Sequence, residues 1–293
     1  MSSKFDKLFD AGLIKPPNFL KSNIIYECIT GSHAYGCNTP DKSDFDIVGI
    51  AIPLKEYIFP HLANELYGWD MQVQRFEQFQ QHHLKFNDKE QYDITVFSIV
   101  KYFRLAADNN PNALDILYSP YECITHINQI GQIMRENRHK FLHKGCYHKL
   151  KGYSYSQFHK MSSNKRTGNR KEIHETWGYD LKFGFHAVRL LLQCEQILQE
   201  GDLDLRRNSE IYKSIRRGEW TEKDIIDFVA QKEPYLEKLY QESKLPFGPD
   251  EREIKSILLS CLEHHFGSLD KCITNLDKHE IAIREIQKIV GNL

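Results

Sequence analysis

An α+β fold, strands and helices followed by a mainly helical part, is predicted by three features of the sequence. β-rich runs broken by Gly, Pro and Asp crowd the first 125 residues. Apolar patterns of helical period take over after them. Between the runs "IIYECI" and "IVGIAI" stand two acids one residue apart, Asp44 and Asp46, where a plain surface turn would not explain the apolar flanks. The 293 residues and 41% hydrophobic content suffice for one large domain or two modest ones. The expected division is a core over residues 1–125 and a helical domain over residues 126–293.

Residues Asn23 to Thr30 alternate as a strand, and "GSHAYG" (31–36) interrupts it with two glycines, which reads as a tight turn and a short helix. Pro40, Asp41 and Ser43 make a second break, after which Asp44 to Ile52 reads as a strand. Side chains alternate along a strand, so Asp44 and Asp46 share one face while Phe45 and Ile47 take the other. Leu54 to Glu90 is polar, and its "QRFEQFQQHHLKF" fits either an excursion or a strand pair, with "QHH" (81–83) read as exposed. "YDITVF" (92–97) is β-rich and passes at Ser98, a good N-cap, into a helix carrying Ile99, Phe103 and Ala106 on one side. "NNPN" (109–112) stops that helix, and "ALDILY" reads as another short apolar strand.

Beyond about residue 125 the pattern is helical. "YDLKFGFHAVRLLLQCEQILQEG" places Leu181, Phe185, Val188 and Leu192 on one face and ends at Gly201. Its other face carries Lys182, His186, Arg189 and Gln193 as one stripe. Further helices are expected over Thr221–Lys232, Pro234–Gln241, Asp250–Phe266 and the final "HEIAIREIQKIV".

Composition excludes several classes. No run approaches the roughly 18 apolar residues of a membrane helix, and the first residues lack the apolar centre and cleavage site of a secretory signal, so a cytoplasmic protein without a membrane partner is expected. Seven scattered cysteines with no C-x-x-C suit reduced thiols. His139, His143, Cys146 and His148 match no structural zinc spacing, and the lysines around them oppose a cation. Neither a P-loop, a nucleophile elbow nor a dinucleotide fingerprint is present. The net charge of −1 conceals a basic segment: residues 135–171 hold eleven Lys or Arg against the single acid Glu136. Tyr147, Tyr153, Tyr155 and Phe158 are interleaved with them, a composition suited to phosphates and stacked bases or, alternatively, to a solvated loop.

Two carboxylates on one strand face bind a divalent cation well only with a further oxygen donor, and Mg2+ readily takes its remaining ligands from water and substrate phosphates. Asp93 is the best candidate for the third acid, since it begins a β-rich strand where an isolated carboxylate is costly; Asp115 in "ALDILY" is second. The Gly31–Ser32 turn supplies the other half, because glycine lets the backbone approach a phosphate and Ser32 with nearby N–H groups can hold its oxygens. His33 and Tyr35 in the same loop suit either nucleotide contact or loop packing.

In kind and order these residues resemble the DNA polymerase β-like nucleotidyltransferase superfamily, whose pattern is Gly-Ser, a short variable stretch, Asp-x-Asp and a later strand Asp. More narrowly, "GSHAYG", the Asn-Pro-Asn at 110–112, "GYSYSQ" and "YDLKFGFHAVRLL" resemble the predicted nucleotidyltransferases associated with RNA repair and RNA ligase systems of bacteria and phages, over roughly residues 24–218. The resemblance implies catalytic, metal-binding roles for Asp44, Asp46 and Asp93, and nucleotide-binding roles for Gly31, Ser32, Lys182, His186 and Arg189. It implies Mg2+ or Mn2+, as two ions, and transfer of NMP from an NTP to a hydroxyl with release of pyrophosphate. RNA is the favoured acceptor, held through Lys165, Arg166, Arg170 and their basic neighbours. Nucleotidyl modification of a protein side chain, and a non-catalytic nucleotide- or RNA-binding module, are the alternatives.

Overall fold

The computed structural model describes residues 3–38, 43–59, 75–88, 90–161 and 169–273, with six further residues between 282 and 290. The chain opens with helices α1 (Lys4–Asp10) and α2 (Leu20–Asn23), then runs through strand β1 (Ile24–Ile29), the single turn α3 (Gly31–Ala34), β2 (Ser43–Ala51) and α4 (Lys55–Ile58). It continues through β3 (Gln78–Lys85), β4 (Glu90–Ser98), α5 (Ile99–Ala107), α6 (Pro111–Leu117) and β5 (Ile124–Ile127). The rest is helical: α7 (Gln129–Glu136), α8 (Cys146–Met161), α9 (Asn169–Trp177), α10 (Leu181–Glu200), α11 (Ser209–Arg216), α12 (Glu222–Glu242), α13 (Glu251–Phe266) and α14 (Leu269–Ile273).

Among the described residues, five strands form one mixed sheet in the order β3-β4-β2-β1-β5. Only β2 and β4 pair in parallel; the other neighbours are antiparallel. One face packs Ile47, Tyr92, Ile94 and Val96 against Phe5 and Leu8 of α1. Glu27, buried in β1, fastens that helix: its carboxylate accepts from Lys4 N at 2.6 Å, Phe5 N at 2.9 Å and Ser3 Oγ at 3.0 Å, and Thr125 Oγ1 donates to it from β5. Four donors compensate the desolvation of a carboxylate that would otherwise be expensive to bury. The opposite face joins Tyr26, Cys28 and Ile50 to apolar residues of α5, α6, α8 and α10 in one continuous cluster. Helix α10 runs through that layer and ends where expected, at Gly201 with φ +64.

Several elements depart from the sequence expectation. "ALDILY" is helical: Pro111 occupies the first turn of α6, where its missing N–H does no harm, and Asn110 caps it through Asn112 N and Ala113 N. The helices expected on either side of residue 233 are one, α12, with Pro234 inside it. The domain boundary expected between residues 125 and 126 falls within β5, which hydrogen-bonds to β1. "QRFEQFQQHHLKF" contributes the edge strand β3. Of the last predicted helix, the described residues are helical.

Candidate functional site

The parallel pairing of β2 and β4 decides where the acids go. Asp46 is in register with Asp93, and Asp44 with Gln91. Residues paired this way point to the same face, so Asp46 and Asp93 stand side by side with Asp44 two residues along, while Phe45, Ile47, Tyr92 and Ile94 turn into the α1 layer. Like charges placed directly opposite one another destabilise a sheet. Although Asp46 is open to solvent on one side, burial raises its carboxyl pKa first, followed by the charges of Asp93 and Asp44, against the lowering effects of Lys182 and His33.

The turn after β1 is built against this pair. Gly31 has φ +64, and a Cβ there would collide with Asp46 Oδ2, so only glycine lets the carboxylate lie against the start of α3. Thr30 occupies the cap position but directs both N (2.8 Å) and Oγ1 (3.1 Å) to the Asp46 carbonyl, so its side chain does not cap the first-turn amides, that of Ser32 among them. His33 stacks on Phe45 with ring centroids 4.9 Å apart, and burial pushes its imidazole pKa down despite the nearby Asp46.

The stripe on α10 divides in two. Lys182 is exposed and close enough to bear on Asp46, and half-buried His186 lies one turn further on. Arg189, expected to contact nucleotide, is buried: Nη1 donates to Tyr35 OH at 2.6 Å, Asp115 Oδ2 at 2.9 Å and Gln193 Oε1 at 3.1 Å. Gln193 Nε2 donates to Asp115 Oδ1 at 2.9 Å, and Tyr35 OH donates to Asp115 Oδ2. Asp115, the second candidate for the third acid, is thus enclosed, and Tyr35 packs within the loop's support. Two further arginines grip the same loop: Arg206 Nη2 donates to His33 O at 3.2 Å, and Arg216 Nη1 to Cys37 O at 2.9 Å.

Sequence reasoning passed over the histidines beside Asp93. His83 N donates to Asp93 Oδ1 at 2.7 Å, and His82 Nδ1 lies 3.5 Å from Oδ2. Both rings are largely exposed as read, but their nearness to Asp93 depends on β3 pairing with β4, which no local pattern announced.

Much of the basic segment is matched within the fold. Arg135 is buried, donating to Leu117 O at 2.9 Å and packing over the Tyr121 ring. Lys140 pairs with Glu253 at 2.6 Å, Lys149 with Asp108 at 2.6 Å and Lys151 with Glu233 at 3.6 Å. Tyr147 stacks on Tyr240, whereas Tyr153 and Tyr155 are exposed. Lys165, Arg166 and the Arg170 side chain lie outside the described residues. His143 is buried, its Nδ1 accepting from Gly145 N and its Nε2 lying 2.9 Å from Ala107 O.

Among the described residues, no group of three or more His, Cys, Asp or Glu is arranged to hold a metal ion. Mg2+ needs only one or two carboxylates when water and substrate phosphates complete its shell. Asp46 and Asp93 in register, with Asp44 near them and a glycine cradle against Asp46, fit that requirement.

An Asp-x-Asp strand in parallel register with a third Asp, beside a Gly-Ser turn and under a helical layer, defines a polymerase β-like nucleotidyltransferase core. Residues 13–238 match the RNA repair pathway DNA polymerase beta family (RlaP), and the chain belongs to that family. An uncharacterised 38.9 kDa protein of Enterobacteria phage T4, from the nrdC-mobD intergenic region, is 30% identical over 113 residues, 38% of this chain and 31% of that protein. The chain therefore spans about a third of the length of the curated relative it matches. Two solved structures are distantly similar. One is the nucleotidyltransferase-like protein from Exiguobacterium sibiricum 255-15, at 12% identity and a TM-score of 0.29, covering 98% of this chain and 87% of that one. The other is the Bradyrhizobium diazoefficiens CD-NTase CdnG in complex with GTP, at 12% identity and a TM-score of 0.20, covering 88% and 92%. Among the described residues no helix is long and apolar enough to cross a membrane.

Proposed function

We propose that the protein transfers NMP from an NTP to a hydroxyl at an RNA end, with Mg2+ or Mn2+ held by Asp44, Asp46 and Asp93. The observation that carries this reading is the Asp46/Asp93 register beside Gly31. When bound, divalent ions supply charge neutralisation at the triphosphate and activation of the attacking hydroxyl. The chain's own residues do the positioning. The amides at Gly31 and Ser32 receive phosphate oxygens, and Lys182 reaches the polyphosphate from α10. The α1 layer behind Phe45 and Tyr92 keeps the opposite face of the strands dry. The Arg189, Arg206 and Arg216 contacts hold the loop against the sheet.

RNA as acceptor is supported by the family description and by the basic, aromatic segment around α8 and α9. Incubating the purified chain with each α-labelled NTP, Mg2+ or Mn2+, and a mixed RNA pool tests the proposal. Label in RNA and release of pyrophosphate, both lost in Asp46→Asn, are expected. Label in protein alone would transfer the assignment to side-chain modification, and binding of NTP without turnover to a non-catalytic module.

A further inference from the structure

The third carboxylate is held by an edge strand that carries an irregularity. The pairing of β3 with β4 slips between Gln81 and Leu84, and His83 in that bulge has φ +57. A left-handed conformation costs a non-glycine residue roughly 1–2 kcal/mol, and a bulge at a sheet edge re-aims the groups it carries. Here they are aimed at Asp93. The His83 amide donates to Oδ1 at 2.7 Å, and its exposed ring has Nδ1 3.2 Å from Gln91 Nε2 and 4.0 Å from the same Asp93 oxygen. His82 brings Nδ1 to 3.5 Å from the other oxygen, Oδ2.

The His82 ring is itself oriented along the strand. Gln78 Nε2 donates to Gln80 Oε1 at 2.7 Å, which leaves the Gln80 amide nitrogen facing His82 Nε2 at 3.0 Å. A nitrogen donor at that place makes Nε2 the acceptor, and the neutral imidazole then carries its proton on Nδ1, the atom that faces Asp93. Gln78 and Gln80 sit two residues apart, and the ring of His82 follows at the next alternate position, so one strand face supplies the chain.

We propose that this bulge is a clamp on Asp93. The His83 backbone amide fixes one carboxylate oxygen, and His82, seated by Gln78 and Gln80, is a positioning residue for the other. The consequence for cation binding rests on the metal reading above, whereas the clamp itself does not. A carboxylate offers about four lone-pair sites, so each oxygen retains one for a cation while the clamp sets its direction relative to Asp46. Outer partners of ligating groups typically change metal affinity or activity 10–100-fold when removed.

The test uses the full chain and two readouts. In Mn2+ titrations followed by electron paramagnetic resonance, His82→Ala is expected to weaken binding by about 10–100-fold, with thermal stability unchanged. His82→Gln, which keeps a donor, recovers part of the loss. In hydrogen exchange, the His83 amide is slow in the wild type and accelerated in Asp93→Ala. Wild-type Mn2+ affinity in His82→Ala overturns the positioning role, and a His83 amide indifferent to Asp93→Ala overturns the clamp. If the wild type binds no Mn2+, the metal reading fails on its own account, and the His83 exchange alone then upholds or overturns the clamp.

Discussion

Asp115 and the pair of Asp46 and Asp93 are treated in opposite ways. Asp115 is 2% exposed, with donors from Tyr35, Arg189 and Gln193 on its oxygens. Asp46 and Asp93 stand in register at the surface, where burial and mutual repulsion raise the Asp46 pKa and Lys182 and His33 oppose the rise only from a distance. A buried charge with a complete set of partners belongs to the architecture, and its removal leaves an uncompensated partner behind. Like charges brought together without a buried counter-ion are held only at a cost.

That contrast makes its largest prediction at the open pair. Asp46→Asn and Asp93→Asn should each lower NMP transfer by at least ~100-fold, while the melting temperature holds or rises because repulsion is relieved. Parallel activity and melting measurements check both halves, and a falling melting temperature would give these acids a structural role. At the closed group the order reverses. Arg189→Met or Asp115→Ala should cost about 3–5 kcal/mol of stability, read by denaturant unfolding, which makes instability the largest effect at this group. Gly31→Ala joins the two regions: a Cβ strained at φ +64 and driven into Asp46 should cost roughly 1–2 kcal/mol and lower activity beyond what that instability explains.

Smaller effects sharpen the same distinction. Lys182→Ala should weaken binding of a non-hydrolysable NTP about tenfold, equivalent to about 1.4 kcal/mol, and unchanged affinity would return that lysine to solvent. Replacing Lys165, Arg166 and Arg170 together should flatten the salt dependence of RNA binding by about two units of slope, at roughly 0.7 per phosphate contact. Replacing Lys140 and Lys149 should leave it unaltered, since their partners are Glu253 and Asp108.

The legible parts of the molecule were those governed by neighbours in sequence. β-rich runs bounded by turn residues marked β1, β2 and β4; Ser98 and Gly201 bound their helices where caps belong; and Asp44 and Asp46 share a face because strand geometry demands it. What escaped depends on pairings across the chain. The role of His82 and His83 needs the β3/β4 register, and the enclosure of Arg189 needs α6 to arrive beneath α10. A stripe of Lys182, His186, Arg189 and Gln193 has one helical phase, but Lys182 is exposed, His186 half-buried, and the helical layer closes over Arg189 and Gln193. "ALDILY" illustrates a competition between signals: its apolar run suits a strand, but Asn110 and Pro111 begin a helix first.

The position of β5 bears on how the molecule is made. β1 is flanked by β2 and by β5, about a hundred residues later, while α1 is fastened by a carboxylate that also needs Thr125. On a ribosome, the two strands bearing Asp46 and Asp93 are complete once residue 98 has emerged, yet the outer edge of β1 remains uncovered until residue 127, and the loop's seat waits for Arg189, Arg206 and Arg216. Pairings so distant in sequence are slow to close. The aligned acids therefore precede the support that gives them a firm loop to work against, and protease digestion of stalled nascent chains should find the Gly31 to Cys37 turn protected only in lengths that extend beyond α11.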